Sequence, residues 1–300
     1  MIPVHMPVVV MAKLSDLQAS KTHRACIFGG SKTGKTELVG RLSEYFNLLW
    51  FDLENGYDTL FKFPKEWQER IELIRIPDTK VFPIAIETML KVITGAPVEI
   101  CDEHGKVSCA LCKKDSKPST RVALNELGDN YIVVFDSGTQ LANSTMNHIT
   151  KNEPDTYKPE WSDYRNQGAL MDKFLSQAQQ AKFNLCFITH EAEVELEDGR
   201  KKIVPVSGTT NFSRNTAKYF DEVVHCDVKN KKHVFGSATT YTNNILTGSR
   251  TDITLEADEF PTLLRIFKPD LFPPVVREAV QKSPAHTAIR NLSALVGAKK

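Results

Sequence analysis

The sequence predicts an α/β fold: a mainly parallel, twisted sheet flanked by helices, antiparallel strands toward the C-terminus, and a small cysteine-rich insertion. Three observations carry that reading. Short continuous apolar runs alternate with segments of helical period between residues 24 and 189, the pattern of strands buried on both faces of a parallel sheet. After residue 190 the period shortens and turn residues appear, and a polar stretch at about 97–120 interrupts the alternation. A chain of 300 residues can bury roughly three quarters of its unfolded surface, enough for one large core with an insertion.

The first strand, 24–28, runs into Gly29, Gly30, Ser31, Lys32, Thr33, Gly34, Lys35 and Thr36, a full G-x-x-x-x-G-K-T loop, and then into a helical pattern over 35–46 that includes Glu37. Strand, loop, lysine, hydroxyl and helix in that order mark a nucleoside-triphosphate site. The glycines let backbone N–H groups turn inward around phosphates, Lys35 reaches the β- and γ-phosphates, and the Thr36 hydroxyl can ligand Mg²⁺. ATP and Mg²⁺ are therefore the expected ligands.

Strands at 48–52 and 71–76 follow, with a helix over 82–93. The strand 48–52, the second in the chain, runs into Asp52-Leu53-Glu54-Asn55-Gly56, and Glu54, just past its end, stands where a carboxylate could polarise an attacking water. Asp52 and Asp58 compete for that role. The strand 131–135 ends in Asp136-Ser137, where the aspartate can hold the Mg²⁺ shell beside Thr36; buried strands also end in capping aspartates. A helix over 163–182 and a strand over 184–189 close the alternating region. Beyond it, 194–206 reads as a hairpin turning at Glu197-Asp198-Gly199-Arg200, and 221–228, 233–236 and 240–246 as further strands of antiparallel type.

Within the insertion, Cys101, His104, Cys109 and Cys112 form two ligand pairs joined by a span that contains Gly105. Each pair can wrap one side of a tetrahedral Zn²⁺, and four protein ligands leave no open position, so the metal is structural. A redox cluster and unrelated surface cysteines are the competing readings. Lying in an insertion, the knob is expected to unfold alone when its metal is lost. The other three cysteines, Cys26, Cys186 and Cys226, sit in apolar strands as small hydrophobes.

Lys plus Arg total 38 against 37 for Asp plus Glu, a formal net charge of +1, so a nucleic-acid partner must meet a local patch. Runs such as 7–11 and 131–135 are too short to span a bilayer, and residues 1–11 lack a basic leader region, which gives the expectation of a cytoplasmic protein with no membrane partner. Residues 1–268 are expected to form the core and 269–300 a tail, partly disordered or used for contact with another subunit.

The order of phosphate loop, Phe51-Asp52-Leu53-Glu54-Asn55-Gly56, Tyr131-to-Leu141, long helix and Leu185-to-Glu191 resembles the core of RecA-type recombinases. It resembles still more the compact phage RecA-like ATPases that promote single-strand annealing, the fourth Sak family, over about residues 20–255. The resemblance implies a RecA-like fold, Glu54 as catalytic base, a metal-binding Asp136 followed by serine, and DNA carried on two loops. Where the RecA pattern has Asn-Gln at the end of the fifth core strand, this chain has Thr189-His190, so a γ-phosphate sensor here would use the His190 N–H.

The first DNA loop falls in 150–165, with Lys158, Trp161, Tyr164 and Arg165; the second falls in 207–214, with Asn211, Phe212 and Arg214. Both mix small or polar residues with aromatics and cations, suited to stacking bases and meeting phosphates. Trp161 and Tyr164 could instead staple the next helix. Arg250 follows the last strand, in the region from which RecA-type and helicase motors present a cation to the neighbouring subunit's nucleotide, though it could equally be a surface arginine.

The resemblance implies an ATPase that binds single-stranded DNA, self-associates into a filament or ring, and supports phage recombination or annealing in the host cytoplasm. A single-stranded-DNA-binding protein is a further candidate partner. A hexameric helicase or packaging-type motor, and a non-hydrolysing assembly protein locked by nucleotide, are the alternatives.

Overall fold

The computed structural model describes residues 22–196, 198–237, 244–250 and 263–272. Its strands are β1 (Arg24–Gly29), β2 (Asn47–Asp52), β3 (Ile71–Arg75), β4 (Val98–Cys101), β5 (Ser119–Val122), β6 (Tyr131–Asp136), β7 (Asn184–Glu195), β8 (Lys201–Pro205), β9 (Glu222–Lys229), β10 (Lys232–Gly236) and β11 (Gly248–Ser249). The main sheet has the order β10-β9-β1-β7-β6-β2-β3, with β8 added to β7 and β11 to β9. From β9 through β3 every neighbouring pair is parallel.

The strands form where the apolar runs are. Ala25–Phe28, Leu48–Phe51, Ile132–Phe135 and Leu185–Ile188 are almost wholly buried, as strands covered on both faces must be. Aromatic contacts join the sheet to its helices: Phe51 stacks on Phe135 at 5.4 Å, and Phe135 meets Phe174 of the helix Trp161–Gln179 edge to face at 5.4 Å. Such contacts are worth about 0.5–1.5 kcal/mol each beyond the area they bury.

Local chemistry sets the helix limits. The helical pattern at 35–46 is an α-helix over Lys35–Gly40 that tightens into a 3₁₀ turn over Arg41–Glu44. The next predicted helix begins at Ala85 rather than 82, because Pro83 disfavours helical backbone at Phe82 and Asp78 Oδ1 accepts the Ala85 N–H at 2.8 Å. The long helix starts at Trp161, where Asp163 Oδ2 accepts the Glu160 N–H at 2.8 Å. The helix Gly138–Ile149 has no counterpart in the sequence reading. Its Ser, Thr and Asn residues favour caps and turns over helix interiors, and its apolar stripe is thin.

The C-terminal strands differ from expectation in direction. β9 is parallel to β1; only its partners β10 and β11 run antiparallel to it. β7 and β8 form the expected hairpin, with Gly199 in the turn at φ 77°. Of the expected strand at 240–246, residues 240–243 lie outside the described ones, and Ile245 makes an isolated bridge to Ile203. The apolar run at 7–11 and the tail beyond 272 also lie outside them.

The insertion is a β4–β5 hairpin with a short helix, Ala110–Lys114. It is not a separate knob. Ile100, Val107 and Val122 pack into the same hydrophobic cluster as Phe51, Met89 and Phe135, and Thr88 Oγ1 donates to the Gly105 carbonyl at 2.9 Å. The described residues fall into two units, one ending at Phe267 and one beginning at Lys268; the second forms a 3₁₀ turn at Pro269–Leu271. No helix among the described residues is long and apolar enough to cross a membrane.

Candidate nucleotide site, metal cluster and cleft

The carboxyl ends of β1, β2, β6 and β7 converge on the loop after β1, the position at which open α/β sheets bind ligands. Gly34, at φ 88°, precedes the loop helix, and Gly29, at φ 156°, has no room for a side chain: a Cβ there would lie 2.1 Å from the Cys226 carbonyl oxygen. Lys35 Nζ lies folded into the loop, donating to the Gly29 and Gly30 carbonyls at 3.0 and 2.7 Å. Burial pulls the Lys35 pKa below its ordinary value, against the nearby charges of Asp136 and Glu54.

A cavity of about 570 Å³ opens over this loop, lined by Ser31, Lys32, Thr33, Gly34, Lys35, Thr36 and Glu37 and by Glu54, Asp136, Ser137 and His190. Thr36 Oγ1 donates to Asp136 Oδ2 at 3.3 Å, so hydroxyl and carboxylate are adjacent, as a shared Mg²⁺ shell requires. Asp136 is fully buried. Desolvation, then the charges of Glu54 and Asp52, push its pKa up to about 7, a level that a divalent cation would reverse.

Glu54 behaves oppositely. Burial works against its carboxylate, yet hydrogen bonds from His190 and Ser137 hold its pKa below the usual range. Ser137 Oγ donates to Glu54 Oε1, and His190 Nε2 lies 3.7 Å from Oε2. An ionised carboxylate beside the phosphate loop can accept a proton from water. Asp52 is turned inward, its Oδ1 receiving the N–H groups of Glu54 and Gly56 at 3.2 Å each, and neither it nor Asp58 lines the cavity. Thr59, Lys62 and His233 line it too, and sequence reasoning passed over all three. Thr59 and Lys62 lie on a 3₁₀ helix with no motif, and His233 comes from the edge strand β10.

In the insertion, the ligand atoms of Cys101, His104, Cys109 and Cys112 all lie within 4.8 Å of one another. His104 Nδ1 stands 3.1, 3.8 and 4.0 Å from the sulfurs of Cys112, Cys109 and Cys101. Bond lengths to zinc of ~2.3 Å for sulfur and ~2.0 Å for nitrogen give a tetrahedral N–S edge of roughly 3.5 Å, inside that range. Loss of water and the neighbouring sulfurs push the Cys112 thiol above its ordinary value, a crowding that a divalent cation would relieve. The cluster is compatible with zinc.

The AAA domain family matches the sequence over residues 21–262. The chain belongs to that family. With the phosphate loop in place, it is a P-loop nucleoside-triphosphate-binding protein by family. No curated protein matches the chain. Among solved structures it is similar to a prototypical ATPase from the type III secretion system of pathogenic bacteria, at 12% identity and a TM-score of 0.38, over 70% of this chain and 51% of that one. It thus spans about half the length of that protein.

A second cavity of this AAA domain, of about 980 Å³, lies between the helix Trp161–Gln179 and the segment 208–218. Trp161, Tyr164, Arg165, Asn211, Phe212 and Lys218 are among its lining residues, so parts of both predicted loops meet across it. Trp161 is 77% exposed and Tyr164 41%, so neither acts as a buried staple. Two predicted contacts lie elsewhere. Arg214 Nη2 donates to the Glu195 carbonyl at the end of β7, and Lys158, exposed, does not line the cleft. Lys218, which does, sits over the Tyr219 ring at 4.6 Å in a 3₁₀ turn that gave no signal in sequence. Chain continuity joins the two cavities: Val206 donates to the His190 carbonyl at 2.9 Å, and the chain then enters the cleft at Gly208.

Arg250 is bound at the amino ends of β1 and β9, the opposite end of these strands from the phosphate loop. It lies 3.6 Å from Asp221, which precedes β9, and donates to the Lys218 carbonyl at 2.8 Å.

Proposed function

We propose that this AAA domain hydrolyses ATP, binds single-stranded DNA along the cleft, and assembles into a filament or ring that supports phage-type recombination or strand annealing in the cytoplasm. The observation that carries the DNA reading is the meeting of two segments, 161–165 and 209–212, in one cleft of about 980 Å³. Exposed Trp161 and Tyr164 with Phe212 offer stacking faces, and Arg165 and Lys218 offer phosphate contacts, the pairing that sequence-independent single-strand binders use. The recombination role rests on the resemblance to phage RecA-like annealing proteins.

For hydrolysis, Lys35 leaves the Gly29 and Gly30 carbonyls to meet the phosphates, and Glu54 takes the proton of the attacking water. Thr36 and Asp136 would hold Mg²⁺, which would neutralise phosphate charge. His190 orients Glu54 and, through its backbone carbonyl, holds the strand that leads to the cleft. Arg250 serves a neighbouring subunit's site in a head-to-tail assembly, the heterologous contact that generates rings or filaments. Cys101, His104, Cys109 and Cys112 hold a structural Zn²⁺.

The test is ATP turnover with and without a labelled single-stranded oligonucleotide, titrated in parallel by anisotropy. Turnover stimulated by the oligonucleotide is expected. Turnover with no DNA binding rejects the cleft assignment, nucleotide binding without turnover favours a nucleotide-locked assembly protein, and unwinding of a forked duplex favours a helicase.

A further inference from the structure

Three lysines line the nucleotide cavity: Lys32 and Lys35 on the phosphate loop, and Lys62, which arrives from elsewhere. Lys62 ends the 3₁₀ helix Tyr57–Lys62, which begins soon after Glu54. That segment is braced from three sides. A Cβ on Gly40 would lie 2.8 Å from Leu60 and 2.5 Å from Phe63, so the segment packs directly on the end of the loop helix. Gln68 Nε2 donates to the Phe61 and Phe63 carbonyls at 3.2 and 2.8 Å, on either side of Lys62. At its start, Arg75 donates to Asn55 Oδ1 at 3.0 Å and lies over the Tyr57 ring at 5.4 Å.

Glu54 and Lys62 thus ride on one braced stretch of chain, anchored to the helix that carries Lys35 and Thr36. Sheet order groups the reacting side chains. Glu54 comes just after β2, Asp136 ends β6 and His190 lies on β7, all on one side of β1, whereas His233 comes from β10 on the other side. The reacting phosphate belongs on the Glu54 side, and Lys62 enters the cavity with Thr59 and Gly56 on the Glu54 segment.

We propose that Lys62 contacts the transferring γ-phosphoryl group within its own subunit and stabilises the charge it carries in the transition state. This rests on the hydrolytic reading above. The water oxygen bonds to the γ-phosphorus as the bond to the β,γ-bridging oxygen breaks, that electron pair leaving with ADP and the water proton passing to Glu54. Inorganic phosphate and ADP result, and Lys62 keeps its proton throughout. A lysine ammonium on a four-carbon stem suits the task, because it can follow the oxygens as they move. It acts beside Lys35, which holds the ground-state phosphates.

The experiment uses the full chain with Lys62→Ala and Lys62→Arg, measuring single-turnover hydrolysis and binding of a fluorescent ATP analogue. Lys62→Ala is expected to lower the hydrolysis rate by roughly 10²-fold or more. Its nucleotide affinity should stay within about threefold of wild type, and Lys62→Arg should recover most of the rate. Lys62→Ala mixed with Lys35→Ala should show no recovery, since the only subunit able to bind phosphate would lack its own Lys62. Weaker binding with an unchanged rate, an unaltered rate, or recovery on mixing each overturn the assignment. An inactive wild-type chain sinks the hydrolytic reading and this one with it, whereas an active wild type with an active Lys62→Ala sinks this one alone.

Discussion

At the candidate nucleotide site, consecutive residues do most of the work: Gly29 to Thr36 supply the loop, and Glu54 just after β2, Asp136 at the end of β6 and His190 on β7 complete it. The cleft is assembled differently, from a helix face, a 3₁₀ turn and a loop that lie far apart in sequence and expose their aromatics. A site built from a contiguous loop on buried strands is sensitive to single atoms; one built from exposed faces tolerates substitution and works by summed contacts. The two should therefore respond to mutation on different scales.

The largest effect belongs to the nucleotide site. Lys35→Ala is expected to abolish ATP turnover, and Glu54→Gln to reduce it by 10³-fold or more, roughly, while retaining bound nucleotide. Quench-flow for the rate and filter retention for bound ATP decide this. Normal hydrolysis by Glu54→Gln would return the role of base to Asp52 or Asp58, and Asp52 is the weaker of those because it faces the backbone of its own turn.

The metal cluster sits between the two extremes. One Zn²⁺ per chain is expected by elemental analysis of protein purified without added zinc, falling to none in the Cys109→Ser, Cys112→Ser double variant. Ile100, Val107 and Val122 belong to the main core. Stripping the metal should therefore lower the single melting transition of the ATPase core by several degrees, roughly, rather than release an independent knob. A separate low-temperature transition, with the main one unmoved, contradicts the shared core.

Substitutions in the cleft should act more gently. Phe212→Ala or Trp161→Ala should weaken single-stranded DNA binding by about 1–3 kcal/mol per lost stacking contact and leave nucleotide affinity nearly intact. Arg214→Ala should do less, since its guanidinium is engaged at the end of β7. Anisotropy titrations at fixed salt separate these. An Arg214→Ala loss exceeding that of Phe212→Ala would move the DNA path toward the β7–β8 hairpin.

The same contrast explains what the sequence disclosed. Gly29 to Thr36 and the Cys101–Cys112 cluster were legible because their residues are neighbours in the chain as in space, and Asp136 because it ends a buried apolar strand. Arg165, Asn211 and Phe212 were candidates only through resemblance, and Lys218, Lys62 and His233 were invisible, since tertiary packing alone brings a 3₁₀ turn or an edge strand to a cavity. The helix Gly138–Ile149 was missed for a physical reason: its hydroxyls favour turns in isolation, and it is stabilised by contacts such as Ser144 Oγ to Asp78 at 2.8 Å. β9 was misjudged in direction because alternation along a strand says nothing about its partner's polarity.

The smallest effect is one of stability, and it separates the two regions by their response to pH. Asp136 has a folded-state pKa of about 7, above the ordinary carboxylate value, because it is buried near Glu54 and Asp52. Between about pH 4 and pH 7 the unfolded chain releases this proton while the folded chain keeps it, so stability falls as pH rises through that window and the loss persists above it. Asp136→Asn removes the titration and can still accept the Thr36 hydrogen bond. It should raise the melting temperature of nucleotide- and metal-free protein by a few degrees at pH 8, roughly, and by about 1 °C or less at pH 4.5, even though it disables the Mg²⁺ site. Trp161→Ala, exposed in the cleft, should shift the melting temperature little at either pH. Thermal scans at the two pH values are the measurement. An Asp136→Asn protein less stable than wild type at pH 8 would mean that the carboxylate is not strained by its surroundings, and the distinction between a tensioned nucleotide site and a relaxed cleft would fail.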